Sequence, residues 1–131
     1  MNKGVDSHCH VFDTTLFPYT ADAAYQPPPH GAGSREQLAA VLDAHGLSHP
    51  LLVNPTSGYG YDNRCLIAAI AASHGRFKGM ARVHPDTDQR GLARLRDGGV
   101  ILIRLDLISD GVALLHQPGL ARLLTQVREM Q

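Results

Sequence analysis

The chain has 131 residues, 12 Lys plus Arg against 12 Asp plus Glu, and a formal net charge of zero. That length suits one domain with a real core, and a dispersed, balanced charge argues against nucleic acid or an anionic membrane as the main partner. Cys9 and Cys65 lack CxxC spacing and read as reduced thiols. With no apolar leader after Met1 and no bilayer-length apolar run, the expected setting is cytoplasmic.

Short β-branched runs alternate with helical periods, the pattern of βα units around a parallel sheet. A first strand is expected over Gly4 to Val11. A stretch holding Pro18, Pro27, Pro28, Pro29, Gly31 and Gly33 then reads as a long loop. Ser34 and Gln37 have capping-box spacing, so a helix should start there and run to Gly46 with Leu38, Val41 and Leu42 on one face. A second strand is expected over Pro50 to Asn54. Asp62 is placed to cap a helix carrying Leu66, Ile67, Ile70 and Ala71 up to Gly75.

A third strand over Phe77 to Val83 precedes a helix from about Asp86 to Asp97, closed by Gly98-Gly99. Val100 to Leu107 is the most strand-like run of the chain. A last helix from Pro118 shows Leu120, Leu123, Leu124, Val127 and Met130 on one face and is still periodic at Gln131.

These are four βα units, whereas a closed TIM-type barrel takes eight units and about 250 residues. The reading is therefore a single α/β domain over 1–131. It forms the first four βα units of a TIM-type (β/α)8 barrel, a half-barrel with a parallel sheet, truncated after the fourth helix. Four strands alone leave two open sheet edges. The chain is then either a fragment or a homo-oligomer joined through those edges. The competing architecture is an open doubly wound sheet, for which the GxGxxG and P-loop motifs are absent.

Strand alternation would put Asp6, His8 and His10 on one side and Ser7 and Cys9 on the other. Both imidazoles would then stand at the carboxyl end of the first strand, where barrel enzymes build their sites. Two neutral imidazoles are half of a tetrahedral zinc set, or else two histidines that only hydrogen-bond. Arg104, near the end of the fourth strand, can grip a carboxylate with its guanidinium fork, or pair with Asp6 or Asp106. Thr56 and Ser57 offer hydroxyls past the second strand, or merely close a turn. His84 reads as a loop residue. His30, His45, His49, His74 and His116 read as solvated side chains or helix-end partners.

The segment Val5-Asp6-Ser7-His8-Cys9-His10-Val11-Phe12 resembles the first-strand HxH motif of the amidohydrolase superfamily (amidohydrolase family 2). Within it, the chain is most similar to the lactone hydrolase branch related to 2-pyrone-4,6-dicarboxylate hydrolase. Phe17-Pro18-Tyr19, Tyr25-Gln26-Pro27-Pro28, Leu52-Val53-Asn54-Pro55-Thr56-Ser57, Tyr61-Asp62-Asn63-Arg64, Gly79-Met80-Ala81-Arg82-Val83 and Ile103-Arg104-Leu105-Asp106 carry the likeness along nearly the whole chain.

The resemblance implies an N-terminal half-barrel of a hydrolase that opens an ester or lactone of a small carboxylated substrate with an activated water. It implies catalytic His8 and His10, substrate contacts from Arg104, Thr56, Ser57, Tyr25 and Asn63, and a catalytic aspartate on a later strand beyond this chain. His8 and His10 are also the implied ligands of a divalent metal such as zinc, although the branch includes members that work without one. Asp106 stands where that branch often carries asparagine, and His84 where an acidic residue is more usual.

Overall fold

The computed structural model describes residues 4–130. Gln131, expected to lie still within the last helix, falls outside the described residues. Four strands, β1 (Gly4–Cys9), β2 (Leu47–Val53), β3 (Lys78–Arg82) and β4 (Val100–Arg104), form one sheet in the order β1-β2-β3-β4. Every neighbouring pair is parallel. The main helices are α1 (Arg35–Ala44), α2 (Arg64–Ala71), α3 (Gln89–Asp97) and α4 (Pro118–Glu129). A doubly wound sheet reverses its strand order at a switch point. This order runs straight through without reversal, so the competing architecture falls and the α/β half-barrel stands.

The helix signals in the sequence are realised in atoms. Ser34 Oγ accepts the N–H of Gln37 (3.3 Å) and Gln37 Oε1 accepts the N–H of Ser34 (2.7 Å), which closes the capping box on α1. Asp88, not Asp86, caps α3 by accepting the N–H of Gly91 (2.7 Å), so that helix begins later than expected. Asp62 lies one residue before the N-cap of α2, yet its carboxylate accepts the N–H of Arg64 (3.0 Å) and bonds the Arg64 side chain.

Two expected apolar faces need correction. Val41 is 54 % exposed while Leu42 is buried, and Leu124 is exposed beside buried Leu123. In both cases the residue at the rim of the apolar stripe faces outward, because the sheet covers a helix arc narrower than the sequence stripe.

The strands differ from their expected limits. β2 starts at Leu47 rather than Pro50, and β3 is trimmed by one residue at each end. β4 stops at Arg104 rather than Leu107. The cause is Asp106, whose carboxylate accepts the N–H of Ser109 (3.2 Å) and turns Leu107–Asp110 into a helical turn.

β1 stops at Cys9, and it is bulged. Asp6 pairs with Pro50 and Cys9 with Leu52, so three steps on β1 match two on β2. The bulge breaks the alternation expected from Asp6 to His10. The Asp6 carboxylate accepts the backbone N–H of His8 (3.1 Å) and reaches the Cys9 thiol instead of joining the imidazoles.

The core lies between sheet and helices, built on Leu42, Leu52, Leu66, Phe77, Leu92 and Leu123. Gly79 lets α2 approach β3, since a Cβ there would stand 2.6 Å from Ile70 Cδ1. Cys9 and Cys65 are buried and unpaired, and burial, with Asp6 nearby, pushes the Cys9 thiol up to about 12. That suits inert packing rather than nucleophilic chemistry.

The long first loop, between β1 and α1, is not slack. Phe12 stacks on Tyr59 (5.8 Å) and both meet Tyr19, tying the loop to the chain beyond β2. No helix among the described residues is long and apolar enough to cross a membrane.

Candidate functional site at the carboxyl ends of the strands

Strand polarity brings the chemically capable side chains to one rim. His8 ends near His10, their rings perpendicular with centroids 5.0 Å apart. His10 Nδ1 lies 2.8 Å from the carbonyl oxygen of Val53. A carbonyl only accepts, so Nδ1 carries the proton and Nε2 of a neutral ring presents a lone pair to the rim. Enclosure by the surrounding protein, aided by the charges of His8 and Arg104, holds the His10 pKa below its ordinary value of 6.5, against the opposing pull of the Val53 carbonyl. The ring therefore stays neutral to lower pH than a free histidine.

Across the sheet, Arg104 closes β4. Its Nη1 donates to the Asn54 carbonyl (3.3 Å) and its Nη2 lies 3.2 Å from Asp106 Oδ2. Asp106 is only 5 % exposed. It accepts hydrogen bonds from the hydroxyl of Thr56 and from the N–H (3.2 Å) and hydroxyl (3.0 Å) of Ser109. Burial alone would raise its pKa, but these donors and the Arg104 charge bring it down to about 2. Asp106 is thus a fixed anion. Of the two partners expected for Arg104, it is Asp106 that pairs.

β3 contributes a second arginine beside the first, Arg82 being the register partner of Arg104. Arg82 is 6 % exposed, lies 4.1 Å from the Tyr61 ring centroid and pairs with Asp110. Its Nε, also buried, makes no hydrogen bond. A cavity of about 380 Å³ opens over this pair, lined by Thr20, Asp22, Thr56, Tyr61, Arg82 and Asp110 among others. A larger cleft of about 570 Å³, between the first loop, α1 and α2, holds none of these groups.

The remaining expected site residues are placed less directly. Ser57 and Gly58 form a sharp kink after Thr56, with Gly58 at φ 77°. Tyr25 is 60 % exposed, and its carbonyl accepts the N–H of Gly58 (2.7 Å). The Asn63 amide is spent on the fold, donating to the Tyr61 and Arg82 carbonyls and accepting the Arg82 N–H. His84 sits in a loop against Tyr61 and accepts the N–H of Asp86.

Sequence reasoning passed over Arg82, Asp110, Ser109 and fully buried Asn54 as site residues. Arg82 carried a signal, since Arg82-Val83 and Arg104-Leu105 both stand where a strand runs out.

His8 and His10 supply two nitrogen donors. No group of three or more His, Cys, Asp or Glu side chains that could hold a metal forms among the described residues. The donor set present is half of a tetrahedral site and does not by itself fit a tightly held ion.

No family model matches the chain. It is 33 % identical to 2-pyrone-4,6-dicarboxylate hydrolase of Comamonas testosteroni over 105 residues, 79 % of this chain and 33 % of that one. The chain is similar to lactone hydrolases. It is also 30 % identical to 4-sulfomuconolactone hydrolase of Hydrogenophaga intermedia over 100 residues, 76 % of this chain and 32 % of that one.

Among solved structures, a probable 2-pyrone-4,6-dicarboxylic acid hydrolase from Acinetobacter baumannii with citric acid bound superposes with a TM-score of 0.84 and 29 % identity. The match covers 97 % of this chain and 46 % of that one. The chain thus spans about a third of the curated relatives it matches and under half of the solved one.

Proposed function

We propose that this chain forms the N-terminal, HxH-bearing half of a lactone hydrolase site for a small carboxylated substrate. The observation that carries the reading is the joint placement of His8, His10 and Arg104 at one strand-end rim, in a fold similar to enzymes named for pyrone and lactone hydrolysis. The Acinetobacter structure has citric acid bound, so a protein of this fold takes up a small polycarboxylate.

In this reading His10 accepts a proton or a hydrogen bond at Nε2, its ring orientation fixed by Val53. His8 lies against it and completes a polar wall. Arg104 binds a substrate carboxylate through N–H groups left free by Asn54 and Asp106. Thr56 and Ser57 line the rim and exposed Tyr25 is the outer contact, whereas Asn63, its amide committed to the Tyr61 and Arg82 backbone, acts only by holding the end of β3 in place. Hydrolysis adds water to the lactone carbonyl and breaks the ring C–O bond. The resemblance puts the base for that water on a later strand, so these residues bind and orient substrate. A divalent metal, if one belongs to the whole site, would be held on this side by His8 and His10 and would polarise the carbonyl.

The test is a titration of the chain with 2-pyrone-4,6-dicarboxylate, followed through the histidine ring signals by NMR. His8 and His10 should respond, and His10→Ala and Arg104→Ala should each weaken binding by about tenfold, or roughly 1.4 kcal/mol. Unmoved histidine signals at saturating ligand would sink the proposal.

A second reading, a non-catalytic half-barrel that self-associates, is favoured by one feature. Each of β1 and β4 is paired on one side only among the described residues, with Val5 (62 %) and Ile101 (60 %) exposed on them.

A further inference from the structure

Two arginines side by side at the ends of β3 and β4 would make a natural clamp for a dianion, but neither is free to act as one. Arg104 is neutralised by Asp106, and Arg82 by Asp110. The four groups together carry no net charge. Asp22 and Asp62 also line the neighbouring cavity; Asp62 is matched by Arg64, which leaves Asp22 as a further negative charge on that rim.

The two pairs differ in what they leave open. Arg82 is buried, and its Nη2 is committed to Asp110. Arg104 is more exposed, has one hydrogen bond and one ion pair, and keeps further N–H groups for a ligand.

We propose that Asp106 and Asp110 set the charge of the substrate, so that this half of the site recognises a lactone bearing one carboxylate and gains nothing from a second. The proposal rests on the reading that Arg104 faces substrate, and it deepens that reading by naming the substrate class. A first carboxylate meets the outer N–H groups of Arg104 and shares that cation with Asp106. A second, directed at Arg82, meets Asp110 already paired there, with Asp22 lining the same cavity, and like charges gathered in one cavity repel. Asp106 is here a specificity residue acting through Arg104. It does not touch the reacting bond.

The experiment measures the affinities of 2-pyrone-6-carboxylate and 2-pyrone-4,6-dicarboxylate for the chain by calorimetry, in the unaltered protein and in Asp106→Asn and Asp110→Asn. The unaltered chain should bind the two probes with affinities within about twofold, and each variant should shift the ratio toward the dicarboxylate by about tenfold. A merely structural aspartate would lower both affinities together and leave the ratio alone.

Should Asp106→Asn fail to fold, Asp110→Asn decides, since Asp110 lies outside the Thr56–Ser109 hydrogen-bond cluster. A tenfold preference for the dicarboxylate in the unaltered chain, or a ratio unmoved by the variants, would overturn the inference. Arg104→Gln separates the two levels. If it binds both probes as well as the unaltered chain does, or if the unaltered chain binds neither, the substrate-facing reading of Arg104 itself is wrong.

Discussion

Asp106 shows how one side chain can end a strand, cap a turn and fix the charge of a neighbour. Its carboxylate is stabilised as the anion by Thr56, Ser109 and Arg104 despite near-complete burial. Because its folded pKa of about 2 lies below the ordinary 3.8, the unfolded chain takes up a proton first as pH falls. The stabilisation is complete above the ordinary value and is lost as pH drops toward the folded one. His10 acts in the same direction higher up. Its lowered pKa means that unfolded chains protonate first below 6.5, so acid weakens the fold there too.

For Asp106→Ala the expected outcome in urea unfolding at neutral pH is a loss of about 2 kcal/mol, since a partly buried guanidinium and three donors lose their acceptor. The variant should also show a flatter stability profile between the ordinary and folded pKa of Asp106. An unchanged acid limb would mean that the carboxylate is not held as described.

At the scale of elements, the sequence was most legible where a rule is local. The Ser34–Gln37 capping box, Pro118 at the start of α4 and the Gly98-Gly99 stop are short-range chemistry and stand as read. Strand limits were less legible, because they depend on a partner. The bulge between Asp6 and Cys9 arises from register with β2, and no pattern inside Val5 to His10 announces it. The Arg82–Asp110 pair was illegible for the same reason, since 28 residues separate its members.

The turn after β2 was only half read. Thr56 and Ser57 were read as offering hydroxyls or closing a turn, but the reason for Gly58 beside them is tertiary. It takes φ 77°, and a Cβ there would lie 2.5 Å from the Tyr19 ring. Gly58→Ala should therefore cost about 2 kcal/mol through strain and displacement of Tyr19. Hydrogen exchange should quicken selectively in the first loop, which Thr20 and Tyr25 join to Gly58 through backbone bonds. Uniform change over the sheet would argue that the aromatic tie is not what holds the loop.

At the scale of the whole molecule, the four parallel strands pose a problem of closure. Among the described residues β1 and β4 are the two edges, of one polarity, and each carries exposed apolar side chains and one side that no neighbouring strand pairs. A two-fold axis along the strands would set β4 of each copy parallel to β1 of the other, completing eight strands with two identical seams. The formal net charge of zero puts no overall repulsion between copies.

Light scattering on the eluting chain should then give twice its 14.1 kDa mass. Ile101→Lys on β4 should return it toward the monomer, because a charge at each of two seams is counted twice per dimer. A stable monomer in the unaltered chain would remove this route to closure. It would also bear on chemistry, because His8, His10 and Arg104 would then face an open half-barrel in which water competes with any substrate for every donor on the rim.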